Sequence, residues 1–256
     1  MKWPNEVMLI RHDTSEYNIL KDKKKIDKVY QKFLEAWKQN PDSTKTRRLA
    51  LVVKNKYNLK CGDAKTKLAD EEGKKAYETG MGLSKTCDLP DVIFVSPYDR
   101  TKKTLHCLTK GWKGLEKVKV FEEERIREQE HGIANLYNDW KVFLTLHPDQ
   151  RKLQEIERLY WYRFPQGESV PDVRERIRSF MSTLTRDWNG KNVLLVTHHL
   201  SILAFRAHMD RLSAEEFIDL DNNDKPINCG VTLYRGYPKL GKNGQLKLEY
   251  YNRRFY

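Results

Sequence analysis

The chain has 256 residues, 39% of them hydrophobic and 11% aromatic, which supports a sizeable core and excludes wholesale disorder. Its apolar runs reach about four or five residues, far short of the roughly twenty needed to cross a bilayer, so no membrane span is expected. Lys and Arg number 48 against 36 Asp and Glu; the net charge of +12 draws in anions, whether phosphorylated small molecules, nucleic acid or an anionic lipid surface.

The first expected element is a strand at 7–10 (VMLI). Charges interrupt every apolar window before it, so no secretory signal is read, and a cytoplasmic protein is expected. Residues 21–65 follow as an extended insertion in what reads as a single domain over 1–256. That segment holds a charge run at 21–28 (KDKKKIDK), read as a solvated helix face, and a turn-rich stretch at 40–48. A second strand is expected at 92–95 (VIFV), a helix at 101–110, a longer helix at 173–188, a third strand at 193–196 (VLLV) and an edge strand at 246–251 (LKLEYY). The three apolar runs contain no polar residue, the pattern of strands buried on both faces. Strands alternating with helices argue for an α/β fold. Cys61, Cys87, Cys107 and Cys229 are far apart and form no CxxC pair, so reduced thiols are expected rather than a zinc knuckle or redox motif.

The chemistry lies just after each apolar run. Arg11-His12-Asp13-Thr14-Ser15 follows the first, Ser96-Pro97-Tyr98-Asp99-Arg100 the second, and Thr197-His198-His199 the third. Ligands of open α/β sheets bind beyond the carboxyl ends of the strands, so neighbouring strands would gather two arginines and two or three histidines in one crevice. Guanidinium forks match phosphate oxygens, and a neutral imidazole is a nucleophile. This set fits phosphoryl transfer through a phosphohistidine better than acyl transfer, and the chain has no GxSxG elbow and no HExxH. Three histidines also suit zinc, but Arg11 and Arg100 would repel a cation, so neither metal nor cofactor is expected.

Six ordered segments carry a resemblance. Arg11 to Asn18 (RHDTSEYN) is similar to the RHGxSxxN signature of the histidine phosphatase superfamily, the branch that contains cofactor-dependent phosphoglycerate mutase. Residues 68–80 (LADEEGKKAYETG), 96–104 (SPYDRTKKT), 125–132 (RIREQEHG), 164–176 (FPQGESVPDVRER) and 196–199 (VTHH) resemble further segments of that superfamily in order. The resemblance implies a three-layer α/β/α sandwich with a mostly parallel central sheet. It implies His12 as nucleophile, with Arg11, Arg100 and His198 clamping the phosphoryl oxygens. It implies Glu128 as general acid and then base, with Glu122, Glu123, Glu124 and Glu130 as nearby competitors for the part. Ser15 and Asn18 would contact phosphate or substrate, and Ser15 alternatively caps a helix. Glu168 and Ser169 would hold the turn before the long helix.

Two residues depart from the pattern. Asp13 stands where the superfamily has glycine, and its carboxylate would weaken phosphate binding unless it points away or pairs with a cation. His199 stands where glycine follows the second histidine; the order of the motif makes His198 the catalytic one, and His199 offers a backbone N–H to phosphate or lines the rim. The extended stretch typical of true phosphoglycerate mutases is absent after Arg127, which favours hydrolysis. The expectation is therefore a metal-independent phosphatase acting on phosphate monoesters through a phosphohistidine. The alternatives are a phosphoglycerate mutase-type transferase and a catalytically impaired phosphate-binding protein. The expected partner is an anionic phosphorylated substrate; no membrane partner is expected, nor nucleic acid, since no RNP, zinc-finger or helix-turn-helix pattern occurs.

Overall fold

The structure is a computed structural model that describes residues 3–57, 59 and 61–256. In chain order it forms β1 (Glu6–Arg11), α1 (Glu16–Lys25), α2 (Lys28–Gln39), α3 (Thr44–Lys56), α4 (Lys74–Ser84), β2 (Val92–Val95), α5 (Asp99–Gly111) and β3 (Lys119–Glu122). There follow α6 (Trp140–Leu146), α7 (Pro148–Trp161), α8 (Val170–Asp187), β4 (Asn192–Thr197), α9 (His199–Met209), α10 (Ala214–Asn223), β5 (Val231–Tyr237) and β6 (Gln245–Arg253). The three apolar runs are β1, β2 and β4, each lengthened or matched by the structure, and the two expected helices are α5 and α8. The tail strand is β6, at the sheet edge. The sequence reading singled out neither β3, whose side chains are mostly exposed, nor β5, whose polar second half blurs its apolar start.

The chain divides into two compact units. The first gathers the residues up to Ser15, those from Lys67 to Glu128, and those from Asp172 onward. It holds a six-stranded sheet in the order β3-β2-β4-β1-β5-β6. β3, β2, β4 and β1 run parallel, β5 is antiparallel to β1, and β6 is antiparallel to β5. One face of the sheet buries Met8, Ile10, Ile93, Val95, Leu194 and Val196 against Ala76 and Leu83 of α4 and Leu105 and Leu108 of α5. On the other face Phe94 meets Phe180 of α8 edge-on at 5.1 Å, and Phe180 meets Phe205 of α9 at 6.1 Å. Helices on both faces of a mostly parallel sheet are the layers that a both-faces-buried strand requires. Gly80 of α4 and Gly111 of α5 allow close crossing, since a Cβ on either would come within 2.3 or 2.1 Å of a carbonyl oxygen across the helix pair.

The second unit comprises residues from Glu16 to Thr66 and from Gln129 to Pro171. Residues 21–65, expected as an insertion, are thus part of a larger helical unit. Phe33 of α2, Ala50 and Val53 of α3 and Val142 of α6 share one core with Tyr57. The lysine run is not wholly a solvated face. Lys21, Lys23 and Lys25 are exposed, but Lys24 points inward and is only 3% exposed.

Candidate active site

The register of the sheet brings the motifs together. Arg11 pairs with Thr197 and Val95 with Val196, so the carboxyl ends of β1, β2 and β4 are level. The next residues out are His12, Ser96 and His198. His12 N–H donates to the Thr197 carbonyl at 2.9 Å, and Ser96 N–H donates to the Val196 carbonyl at 3.0 Å. The imidazoles of His12 and His198 end with ring centroids 5.2 Å apart.

His12 is buried, and its Nδ1 lies 2.6 Å from the Asp13 carbonyl oxygen. A carbonyl only accepts, so Nδ1 carries the proton and the Nε2 lone pair is left for chemistry. Burial pushes the His12 pKa well below the ordinary imidazole value, and the charges of Arg100 and Arg11 push it further. His12 is therefore neutral at neutral pH, the form a nucleophile needs. His198 is fully buried and lowered by the same burial and then by Arg100.

Two guanidinium groups complete the cluster. Arg11 ends β1, donates Nη1–H to the Pro226 carbonyl at 2.7 Å, and keeps a buried Nε without a hydrogen-bond partner. Arg100 lies in the first turn of α5, is buried, and packs over the Tyr98 ring at 4.8 Å. His198 Nδ1 is a second buried nitrogen without a partner. Two such nitrogens within one cationic cluster suit an anion with several acceptor oxygens.

Glu128 comes to the same edge. Its Oε1 accepts the Leu200 N–H in the first turn of α9 at 3.1 Å, and its charge raises the Arg11 pKa against the effect of burial. The segment that carries it is tied down at each step. Thr197 Oγ1 donates to the Ile126 carbonyl at 2.6 Å, and Ser201 Oγ donates to the Arg127 carbonyl at 2.5 Å. Arg176 donates to the carbonyls of Arg125 and Glu128 at 2.7 and 3.0 Å. Among the competing acids, Glu123 is gripped at both oxygens by Arg125, and Glu122 lies 3.6 Å from Lys102.

Asp13 does not face the anion site. Its Oδ2 accepts the Ala76 N–H at 3.0 Å and its Oδ1 accepts the Thr14 N–H at 2.5 Å. Ala76 is in the first turn of α4, whose own N-cap, Gly73, supplies no side-chain acceptor. The carboxylate therefore caps that helix, where the partial positive charge of the N-terminus stabilises it. The Asp13 N–H donates to Thr104 Oγ1 at 2.9 Å, and that hydroxyl donates to the Arg100 carbonyl at 2.7 Å, so residue 13 also ties the loop after β1 to α5. The carboxylate beside His12 thus points away to α4, the case in which no weakening of phosphate binding is expected.

His199, expected to contact phosphate or line the rim, turns its ring toward α10. Its Nε2 lies 2.7 Å from Asp221 Oδ1, and Lys225 lies 3.5 Å from the same oxygen. A carboxylate is the better partner for imidazole, and only the His199 backbone remains at the first turn of α9. Ser15 is buried and forms an isolated bridge with Leu68. Asn18 lies in α1, within the second unit. Glu168 holds its turn as expected, accepting the Glu130 N–H at 3.0 Å and donating its own N–H to the Glu130 carbonyl at 2.7 Å. The sequence reading assigned no role to Ser96, Arg176 or Asn228, whose amide donates to the His12 carbonyl at 2.9 Å. Among the described residues, no group of three or more His, Cys, Asp or Glu is arranged to hold a metal ion, and no helix is long and apolar enough to cross a membrane.

Comparison with known proteins identifies the family and the fold. A phosphoglycerate mutase-like protein of Arabidopsis thaliana is 30% identical over 203 residues, covering 73% of this chain and 60% of that protein. A broad-range acid phosphatase of Saccharomyces cerevisiae is 32% identical over 123 residues, 45% of this chain and 35% of that protein. The chain thus spans about a third to three-fifths of the length of these relatives. In fold, it is similar to a mycobacterial glucosyl-3-phosphoglycerate phosphatase solved with inorganic phosphate, at a TM-score of 0.64 and 18% identity over 98% of both chains. The sequence profile of the histidine phosphatase superfamily, branch 1, matches residues 7–240, and the chain belongs to that superfamily.

Proposed function

We propose that the protein hydrolyses phosphate monoesters through a phosphohistidine on His12, without a metal ion. The observation that carries this reading is the pair of buried, partnerless nitrogens, Arg11 Nε and His198 Nδ1, beside a neutral His12. An anion with several acceptor oxygens satisfies both, and a tetrahedral phosphoryl group is such an anion.

In this mechanism His12 Nε2 attacks phosphorus and the bond to the ester oxygen breaks. Arg11, Arg100 and the His198 N–H hold the three non-bridging oxygens, whose charge they stabilise without rearranging. Glu128 gives a proton to the leaving oxygen. It then takes one from a water molecule that attacks phosphorus, which frees His12 and releases inorganic phosphate. The acid phosphatase among the relatives supports hydrolysis, and the turn of the Asp13 carboxylate toward the Ala76 N–H supports an unimpaired site.

The test is turnover of p-nitrophenyl phosphate in EDTA from about pH 4 to 8, with His12→Ala in parallel. Wild-type turnover that falls at least about 10⁴-fold in the variant, with acid-labile labelled phosphate trapped on the wild type alone, is the expected result. Turnover that survives in His12→Ala overturns the nucleophile, and inhibition by EDTA overturns the metal-independent reading. Phosphoryl transfer to an added alcohol in place of water would instead indicate a mutase-type transferase.

A further inference from the structure

We propose that Ser96 is a positioning residue that holds His198 as the Nδ1–H tautomer, so that a hydrogen-bond donor and not a lone pair meets the phosphoryl oxygen. The role of that donor rests on the phosphate-site reading above; the tautomer does not.

Ser96 and His198 are both fully buried, and Ser96 Oγ lies 2.7 Å from His198 Nε2. The serine backbone is fixed, its N–H on the Val196 carbonyl at 3.0 Å and its carbonyl taking the Thr101 hydroxyl at 2.8 Å. The hydroxyl has one proton to place, and its hydrogen-bond partner among the described residues is Nε2. If Oγ–H donates to Nε2, the serine proton is satisfied and the ring proton belongs on Nδ1. If instead Nε2–H donates to Oγ, the serine proton has no acceptor in a buried setting. The Nδ1 lone pair would then face the anion it is meant to hold. An unsatisfied buried donor and a lone pair against an oxyanion are both costly, so the first arrangement prevails. It also accounts for the partnerless Nδ1, which becomes a donor awaiting an acceptor.

Neutrality makes the tautomer matter. An imidazolium donates from both nitrogens and needs no tautomer control, but burial and the nearby Arg100 keep His198 neutral in the empty site. Tyr98 packs edge-on to the His198 ring at 4.9 Å and limits its rotation, so the ring cannot simply turn to offer the other nitrogen.

The experiment reads ring ¹⁵N shifts in histidine-labelled protein without ligand near pH 7.5, with His198 assigned by the signal lost in His198→Asn. Wild type should show a protonated Nδ1 and a bare Nε2. Ser96→Ala should shift His198 toward Nε2–H, raise the inhibition constant of inorganic phosphate about tenfold, and lower kcat/KM for p-nitrophenyl phosphate about 10²-fold. Ser96→Thr, which keeps the hydroxyl, should restore all three. Ser96→Cys keeps the volume and weakens the donor; it should move in the same direction by less, and it covers a failure of the alanine variant to fold. An Nε2–H ring in wild type, or a tautomer unchanged in both variants, overturns the proposal. So does a tautomer that moves while phosphate inhibition stays constant. If wild type turns over no ester, the proposed hydrolase fails, while the ¹⁵N result still decides the tautomer.

Discussion

Two regions bury positive charge, and they do so differently. In the second unit Lys24 lies between the Asn138 carbonyl at 2.7 Å and Asp139 at 2.9 Å, and the Tyr30 hydroxyl donates to the same carboxylate at 2.6 Å. Asp139 also caps α6 through Lys141 and Val142. Cation and anion are matched there, and the cluster joins three helices. At the carboxyl ends of β1, β2 and β4 in the first unit, Arg11, Arg100, His12 and His198 gather with two nitrogens left over. A closed set of partners is a structural device, while an open one holds affinity in reserve for a ligand, at a cost to the empty protein.

Breaking the closed cluster should produce the largest loss of stability. Lys24→Met leaves the Asp139 charge buried and unpaired and should cost about 3–5 kcal/mol by urea unfolding. Lys24→Met with Asp139→Asn should cost less than the two singles together, because the stranded charge is gone. Additive losses would show that the two residues act independently.

The open cluster should respond in turnover. Glu128→Gln should slow alkyl phosphates about 10²-fold or more and aryl phosphates far less, since only a poor leaving group needs the proton. Arg176→Ala, which frees the segment carrying Glu128, should show the same selectivity to a smaller degree. Equal losses on both substrates would remove the general acid from Glu128.

Asp13 belongs to both kinds of region, a buried charge closed by backbone N–H groups at the edge of an open site. Asp13→Gly restores the superfamily's residue yet removes the acceptor of the Ala76 N–H in the first turn of α4, leaving Asp70 on the Lys74 N–H. It should lower stability by about 1 kcal/mol, measured by urea unfolding, and should not raise turnover. A gain in turnover would show that the carboxylate opposes phosphate after all.

A further effect is in pH. His12 and His198 have lowered pKa values in the folded state, so the unfolded chain binds protons first on acidification. Their contribution to stability is whole above the ordinary imidazole value near 6.5 and is lost as pH falls below it toward the lowered folded values. Urea midpoints should fall from pH 7 to 5, and saturating phosphate, which favours the charged rings, should flatten that slope.

Much of this was readable from residue order. Three uninterrupted apolar runs specify strands buried on both faces, and the residues after them specify what stands at the strand ends. That is why His12, Arg11, Arg100 and His198 could be named from the chain alone. Glu128 has four other acids close by in sequence; its bond to α9 distinguishes it from Glu123, gripped by Arg125, and from Glu122, beside Lys102. The edge strand β3 was missed because exposed strands need no apolar pattern.

The sequence by itself determined the three strands buried on both faces, the helices α5 and α8 and the cationic residues at the strands' carboxyl ends, because burial on both faces and motif order are local properties of the chain. Only the tertiary structure decided where Asp13, His199, Lys24 and Ser96 direct their polar atoms. A short polar side chain bonds to whichever donor or acceptor the fold brings near. Those partners come from as far away as Ala76, Asp221, Asp139 and His198, at separations that no local pattern encodes.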